Sequence, residues 1–261
     1  MMKVRLVDAI EDNDPGSNIW KSSFVAARLA YEEGKFREAY RQLMKTLKRA
    51  ESLKQHEFAS ACTLMGMGAV LTKLGKFKEA RAKLDSVLSV CSDEKTKAMK
   101  ELHAVTLMFY ADLIMEEDGE LNEAERMLLQ SIDILEELGP DYSLFLANSL
   151  LDLSGLYLEK EQYEKAETYI EAALPILDKV SGRADATYLR ASMIHQICQH
   201  KDDEDFIFDL VKEDTTRMLY QVGTKHPNLT RALRRYAGHL KTHGQEEKLN
   251  ELHNQFEKIF K

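Results

Sequence analysis

The sequence has few of the residues that interrupt helices or cross-link a chain. Its 261 residues include four prolines, twelve glycines, three cysteines and one tryptophan. The scarcity of proline leaves long stretches able to form helices, because proline removes a backbone donor and ends a helix. With 44% apolar and 31% charged residues, the composition is typical of an ordered, helix-rich chain and excludes a disordered one.

The three cysteines are too few and too far apart to form a disulfide framework. Cys62, Cys91 and Cys198 are odd in number and include no Cys-x-x-Cys pair. This pattern is typical of reduced thiols in a cytosol-like compartment. Packing in the interior is the role we expect for each of them.

Long apolar runs and targeting segments are also lacking. No apolar stretch approaches the ~18 residues that a membrane-spanning helix needs, so we expect no membrane insertion. The first 18 residues combine Lys3 and Arg5 with four acidic side chains and have no apolar centre, unlike a secretory signal or a transit peptide. We therefore expect a cytoplasmic protein, with an organellar location still open if a targeting segment has been removed.

Charge is distributed unevenly along the chain. The formal net charge is −8, but residues 19–101 and 225–261 have a basic excess and residues 112–180 are strongly acidic. The overall acidity disfavours nucleic-acid binding, which needs a continuous basic face. A field that changes sign along the chain can orient a partner, although solvated outer helix faces give the same pattern.

A six-residue phrase recurs along the chain at a nearly fixed interval. It starts at Gly34, Gly75, Gly119 and Glu161, and its closing alanines are 41, 44 and 42 residues apart. A period in this range predicts stacked helix pairs. We expect the glycines to end the first helix of a pair in the left-handed conformation. The closing alanines are expected where the two helices cross closely.

The periodicity divides the chain into an irregular N-terminal segment, residues 1–18, and a single solenoid, residues 19–260. The fifth pair, about 184–222, is degenerate because an acidic run at 200–205 replaces the phrase. Helices are predicted at about 19–33, 36–53, 56–73, 77–91, 96–117, 121–138, 142–160, 163–180, 184–199, 204–222, 228–242 and 245–260.

These repeats resemble the tetratricopeptide repeat, in the 42-residue form found in kinesin light chains. The resemblance covers residues 19–260 and is strongest from Leu138 to Leu174, where Gly139-Pro140-Asp141 precedes Tyr157, Tyr163 and Ala166. A second strong match runs from Gly223 to Leu240. The resemblance implies an all-α fold, a right-handed α-solenoid of about six helix pairs whose first helices line a concave, peptide-binding face.

The resemblance also implies which side chains line that face. With Ala166 as the anchor of the register, they include Met65, Phe109, Tyr110, Leu151, Asp152, Arg231, Arg234 and Arg235. The alternatives are that the apolar members pack against neighbouring helices and that the arginines are ordinary solvated side chains.

Two ligand classes known for this family are not matched. Kinesin light chains have paired asparagines where this chain has Leu151-Asp152. The lysine and asparagine clamp with which chaperone-binding domains hold a C-terminal carboxylate is not intact either. The expected partner is instead a protein or peptide segment of apolar and acidic character.

Two groups of histidines contain residue types that bind metal ions, but neither is predicted to be a metal site. His239 and His243 share a helix face, but no carboxylate completes an H-E-x-x-H motif. His243 also precedes a helix-ending glycine, where interaction with the helix C-terminus is favoured. His195, Cys198 and His200 form a looser cluster beside a predicted loop.

No other pattern predicts catalysis or a cofactor. Gly66-Met67-Gly68 lies inside a helical run without a preceding strand, so it indicates close helix packing and not a dinucleotide loop. The sequence therefore predicts a non-catalytic adaptor or scaffold that binds a partner segment in the groove of the solenoid. The alternative is a regulatory sensor whose groove binds a short peptide or small ligand and changes conformation. The oligomeric state is left open.

Overall fold

The structure, a computed structural model, describes residues 9–10, 16–91, 96–117, 119–223 and 227–260, without the side chains at 221, 222, 227, 228, 231 and 235. Most of the N-terminal segment predicted to be irregular lies outside these ranges.

Every regular element of the described chain is helical. The α-helices are α1 Ser17–Glu32, α2 Phe36–Ala50, α3 His56–Lys73, α4 Phe77–Cys91, α5 Lys97–Glu116, α6 Leu121–Leu138, α7 Ser143–Glu159, α8 Tyr163–Val180, α9 Ala186–Gln199, α10 Glu204–Val222, α11 Pro227–Thr242, α12 Glu246–Gln255 and α13 Glu257–Phe260, with a short 3-10 turn at Pro140–Tyr142. The predicted all-α solenoid class is confirmed. The prediction of one continuous last helix is wrong, because the chain breaks at Phe256 into α12 and α13.

First and second helices of a pair differ in how much of their surface they bury. The second helix α2 buries one stripe, Ala39, Leu43, Thr46 and Ala50, whose spacing of three or four residues is that of an amphipathic helix. The first helices α3 and α5 are buried over much more of their circumference. First helices are therefore packed from several sides, as the interior layer of a helix-pair stack requires.

The chain divides inside α7 into two compact units, Met1–Ser149 and Leu150–Lys261. In the first unit consecutive helices from α1 to α6 pack on one another, and α3 also packs on α1 and α5. The predicted close packing at the Gly66-Met67-Gly68 run is confirmed. A Cβ on Gly68 would lie 2.6 Å from Leu84 Cδ2, and one on Gly66 would lie 3.3 Å from Leu43 Cδ2.

The recurring phrase forms the turns between paired helices, and all but one of its glycines have the predicted left-handed conformation. Gly34 and Gly75 both have φ of 70°, the left-handed conformation expected at the end of a helix. Gly119 does not share it, so that prediction is wrong for the third copy. A Cβ on Gly119 would lie 2.9 Å from Ile114 Cγ2, so the close approach of the previous turn is the reason for glycine there.

The second unit keeps paired helices where the phrase is lost. Helix α8 packs on α9, α9 on α10 and α11, and α11 on α12 and α13. The N-terminus of α10 is capped by Asp203, whose carboxylate accepts from the backbone N–H of Phe206 at 3.0 Å. Phe256 and Ile259 are buried in the core of this unit, so the closing aromatic residue packs inward.

No helix in the described ranges is both long and apolar enough to cross a bilayer. The single solenoid over 19–260 stays a prediction, because each unit is described by itself.

Candidate ligand-binding groove

In the first unit, α3 and α5 carry three of the predicted groove residues, but only one of them has substantial exposed surface. Met65 and Tyr110 are 4% and 5% exposed, whereas Phe109 is half-buried. Phe109 is therefore the member of this group that offers an aromatic surface to a partner.

Tyr110 is fixed by polar contacts to the preceding second helix. Its hydroxyl donates to Asp85 Oδ1 at 2.8 Å and accepts from Arg81 Nη1 at 3.1 Å. Arg81 also reaches Glu117, with 2.8 Å between Nη2 and Oε2. Burial, reinforced by the hydrogen bond to Asp85, raises the pKa of Tyr110. These contacts fix Tyr110, the residue next to Phe109 on α5.

A buried ion cluster joins the first helices α3 and α5. Lys73 Nζ lies 3.0 Å from Asp112 Oδ2 and 2.6 Å from Glu116 Oε1. The Lys73 and Asp112 side chains are only 7% and 4% exposed. A buried charge needs such a partner, because desolvation otherwise disfavours its ionised form. The cluster fixes the register of the two helices whose faces form the candidate groove.

In the second unit, the predicted residues Leu151 and Asp152 are both buried. Leu151 is 0% and Asp152 7% exposed. Arg190 on α9 donates from Nη2 to Asp152 Oδ1 at 2.8 Å, and it is itself 4% exposed. Asp152 thus contacts the first helix of the next pair. Arg190 was missed from sequence, although a charged residue among the buried apolar residues of α9 is the signal that could have revealed it.

The structure describes the side chain of only one of the three predicted arginines. Arg234 on α11 is exposed. The side chains of Arg231 and Arg235 are not among those that the structure describes. A role in partner binding stays a prediction for all eight residues named from the sequence.

The structure brings together two polar clusters that sequence reasoning missed, and one of them joins Glu161 to two histidines. Glu161, in the turn between α7 and α8, lies beside His239 and His243 at the end of α11, with one ligand-type atom from each residue within 4.8 Å of the others. Glu161 Oε1 is 3.1 Å from His243 Nε2. The expected interaction of His243 with the helix terminus is also present, since its Nδ1 lies 2.9 Å from the carbonyl oxygen of His239. No local motif could have shown this cluster, because Glu161 is far from the histidines in sequence.

The looser cluster predicted around Cys198 does not form a single ligand set in the described chain. His195 Nε2 lies 3.7 Å from Glu171 Oε1, and the His200 ring lies 4.2 Å from that of Phe206. Burial raises the pKa of the Cys198 thiol to about 12, so it remains a protonated packing residue. All three cysteines are buried.

Part of the chain matches a known repeat family. Residues 102–179 match the family model of the tetratricopeptide repeat. The resemblance predicted from the sequence is confirmed over these residues. No curated protein sequence matches the chain significantly.

Solved structures similar to this chain share its fold at low sequence identity. A Rap protein complexed with competence and sporulation factor has a TM-score of 0.74 and 14% identity, over 95% of this chain and 65% of that protein. A kinesin-light-chain repeat protein of Podosopora anserina has a TM-score of 0.54 and 16% identity, over 77% of this chain and 95% of that one. BtubC (BKLC) of P. vanneervenii has a TM-score of 0.51 and 15% identity, over 92% and 90%. The chain thus spans less than two thirds of the Rap protein.

Proposed function

We propose that the chain is a non-catalytic adaptor that binds a segment of a partner protein on the first helices of its tetratricopeptide repeats. The observation that carries the proposal is the tetratricopeptide match over residues 102–179, which includes the half-buried Phe109 on α5. Stacked helix pairs of this kind present extended binding surfaces. The proposed partner segment has apolar and acidic character, and the proposed compartment is the cytoplasm, supported by three buried cysteines.

The physical basis of the proposed contact is a partly exposed aromatic ring on a rigid support. Tyr110, next to Phe109, is held by Asp85 and Arg81, and α5 is tied to α3 through Lys73. An aromatic side chain whose surroundings are already ordered loses little conformational entropy on binding. Aromatic anchors of this type contribute much of the binding energy at protein interfaces.

We expect the change Phe109→Asp to abolish partner capture while the helix content is retained. A half-buried position tolerates a polar residue better than a core position does, whereas an acidic side chain in an apolar contact opposes binding. The measurement is co-purification of a protein at a fixed ratio with the tagged full chain, with circular dichroism of each variant. Leu151→Asp is unsuitable, because Leu151 is 0% exposed and its replacement would disturb folding.

The matched control for Phe109→Asp is Val90→Asp. Val90 lies on the second helix α4 of the same unit and is 41% exposed, so the same apolar-to-acidic change falls on a second helix. Capture should persist in this variant. Capture that survives Phe109→Asp would show that the α5 face is not the binding surface.

A second candidate function is a regulatory sensor whose repeats bind a short peptide or small ligand and change conformation. It is favoured by the similarity to a Rap protein whose structure contains competence and sporulation factor. A sensor should change its solution radius when the ligand is added, as measured by small-angle scattering. An adaptor should instead keep its radius and retain a protein at a fixed ratio through purification.

A further inference from the structure

We propose that Glu161, His239 and His243 form a binding site for a divalent transition metal ion, with Zn²⁺ as the preferred occupant. The three residues belong to the second unit and come from two places in it, the turn after α7 and the end of α11. One carboxylate oxygen and one nitrogen from each imidazole lie within 4.8 Å of one another. In the sequence no carboxylate completes an H-E-x-x-H motif with these histidines, whereas the fold brings Glu161 beside them.

The distances suit tetrahedral coordination after a small contraction. Zn²⁺ binds imidazole nitrogen at about 2.0–2.1 Å and carboxylate oxygen at about 2.0–2.2 Å, so two ligand atoms of a tetrahedral site lie about 3.4 Å apart. Glu161 Oε1 and His243 Nε2 are 3.1 Å apart. The rings of His239 and His243 lie with centroids 4.1 Å apart, as expected for residues one helical turn apart on the same face.

The hydrogen bonds around the histidines orient them as ligands. His243 Nδ1 donates to the backbone carbonyl of His239 at 2.9 Å, which leaves Nε2 facing Glu161. Metal-binding histidines commonly donate their second ring N–H to a carbonyl or a carboxylate in this way.

His239 is half-buried near the end of α11, and its ring lies against that of His243. The ring of His239 is also stacked on Tyr236, with centroids 6.1 Å apart, and this contact fixes its orientation.

The backbone at Glu161 points independently to a role for its side chain. Among the described non-glycine residues, Glu161 is the one with positive φ, at 55°. The corresponding turns after α1, α3 and α11 have glycine, at Gly34, Gly75 and Gly244, with φ of 70°, 70° and 68°. Glycine takes this conformation freely, whereas an L-residue is strained in it. Such strain is found where the side chain has a function, and here the side chain reaches the two imidazoles.

The ligand set and its exposure define the type of site. Two imidazoles and one carboxylate suit Zn²⁺ and neighbouring divalent ions, and not the all-oxygen preference of Ca²⁺ or Mg²⁺. Glu161 and His243 are exposed and His239 is half-buried, so a fourth position is open to water. A bound ion would link the turn after α7 to the end of α11. The second unit would then be stabilised by metal, a property that goes beyond the proposed adaptor function and does not depend on it.

The test is titration of the metal-stripped full chain with Zn²⁺ by calorimetry. We expect one ion per chain. Glu161→Gln, His239→Ala and His243→Ala should each weaken Zn²⁺ binding by at least about tenfold, the lower end of the losses seen when even supporting residues of metal sites are changed. His195, Glu167 and Glu171 form a second group whose ligand-type atoms lie within 4.8 Å of one another. His195→Ala therefore tests whether the ion binds there instead, and it should leave the affinity unchanged.

Glu161→Gln keeps the size of an exposed side chain, so its effect reports the lost ligand and not unfolding. A Co²⁺ titration adds a second measurement, since tetrahedral Co²⁺ should give a visible absorption band that the same three variants lose. The proposal is overturned if the unaltered chain takes up no Zn²⁺, or if Glu161→Gln and His239→Ala bind it as the unaltered chain does. It is equally overturned if His195→Ala is the variant that loses the ion.

Discussion

The unit that ends at Ser149 and the unit that begins at Leu150 connect their first helices by the same kind of contact, made with different residues. In the former, Lys73 of α3 binds Asp112 of α5. In the latter, Arg190 of α9 binds Asp152 of α7. Both pairs are almost fully buried and join residues about one repeat apart. A buried ion pair is thus a recurrent means of fixing the register between successive repeats. The two pairs differ in their position in the repeat and in which helix carries the cation, the earlier one for Lys73 and the later one for Arg190.

The turns of the two units differ in the residue that takes the left-handed conformation. At Gly75 and at Glu161 the backbone has the same left-handed form, and the next N–H bonds back to the helix at 2.9 Å in both. Glycine satisfies the backbone alone, whereas glutamate adds a side chain at the expense of strain. The glycine turn therefore supports the fold alone, whereas a non-glycine residue in the same conformation marks a place where a side chain is needed.

The largest expected effect is the loss of a cation from either buried pair. Lys73→Ala and Arg190→Ala should each lower the free energy of unfolding by about 3–5 kcal/mol, because each removes the cation that lies against a buried carboxylate. Denaturant unfolding followed by circular dichroism measures the loss. As a control, Arg190→Ala combined with Asp152→Ala should lose less than Arg190→Ala alone. If only one of the two single changes is costly, the pairs are not equivalent and the comparison fails.

A smaller loss is expected from overfilling the helix crossings. Ala124 of α6 and Ala166 of α8 are both 0% exposed, and tryptophan at either position should lower the free energy of unfolding by about 1–3 kcal/mol or more. Because neighbouring repeats share an interface, the loss should extend beyond the altered pair. Thermal melting measures it, with Ala172→Trp as the control, since Ala172 is exposed on α8. Unchanged melting of Ala124→Trp or Ala166→Trp would mean that these crossings are looser than the structure describes.

An exchange of turn residues should shift stability in opposite directions. Glu161→Gly should raise the free energy of unfolding of the metal-free chain by about 1 kcal/mol, because glycine removes the strain of a left-handed L-residue. Gly75→Glu should lower it by a similar amount, although a Cβ at Gly75 meets no atom within 4 Å. Both are measured by denaturant unfolding in the presence of a chelator. Equal stability of Glu161→Gly and the unaltered chain would show that this turn is not strained.

Periodicity alone predicted most of the fold. Helices α3, α4, α6, α8 and α10 begin and end where the sequence placed them, because glycine, alanine and apolar spacing act locally. The break at Phe256, whose side chain is buried in the core of the second unit, depends on tertiary contacts, which local spacing does not show. The candidate sites were harder to predict, since the contacts of Asp152 with Arg190 and of Glu161 with His243 join residues from different repeats. Resemblance placed Leu151 on a groove, but the close packing of first helices buries it.

The smallest expected effect concerns the positive charge of the three arginines in α11. Changing Arg231, Arg234 and Arg235 to Glu should slow association with an acidic partner roughly tenfold at low salt, since steering by a field of one sign changes association rates by at least that factor. The dissociation rate should change little, because exposed charges contribute weakly to a formed contact. Stopped-flow binding at two salt concentrations measures both rates, and the difference should shrink as salt screens the field. The same triple change to Gln is the matched control and should give an intermediate association rate. An association rate equal to that of the unaltered chain at low salt would make these arginines ordinary surface residues and would leave Phe109, in the other unit, as the principal determinant of partner binding.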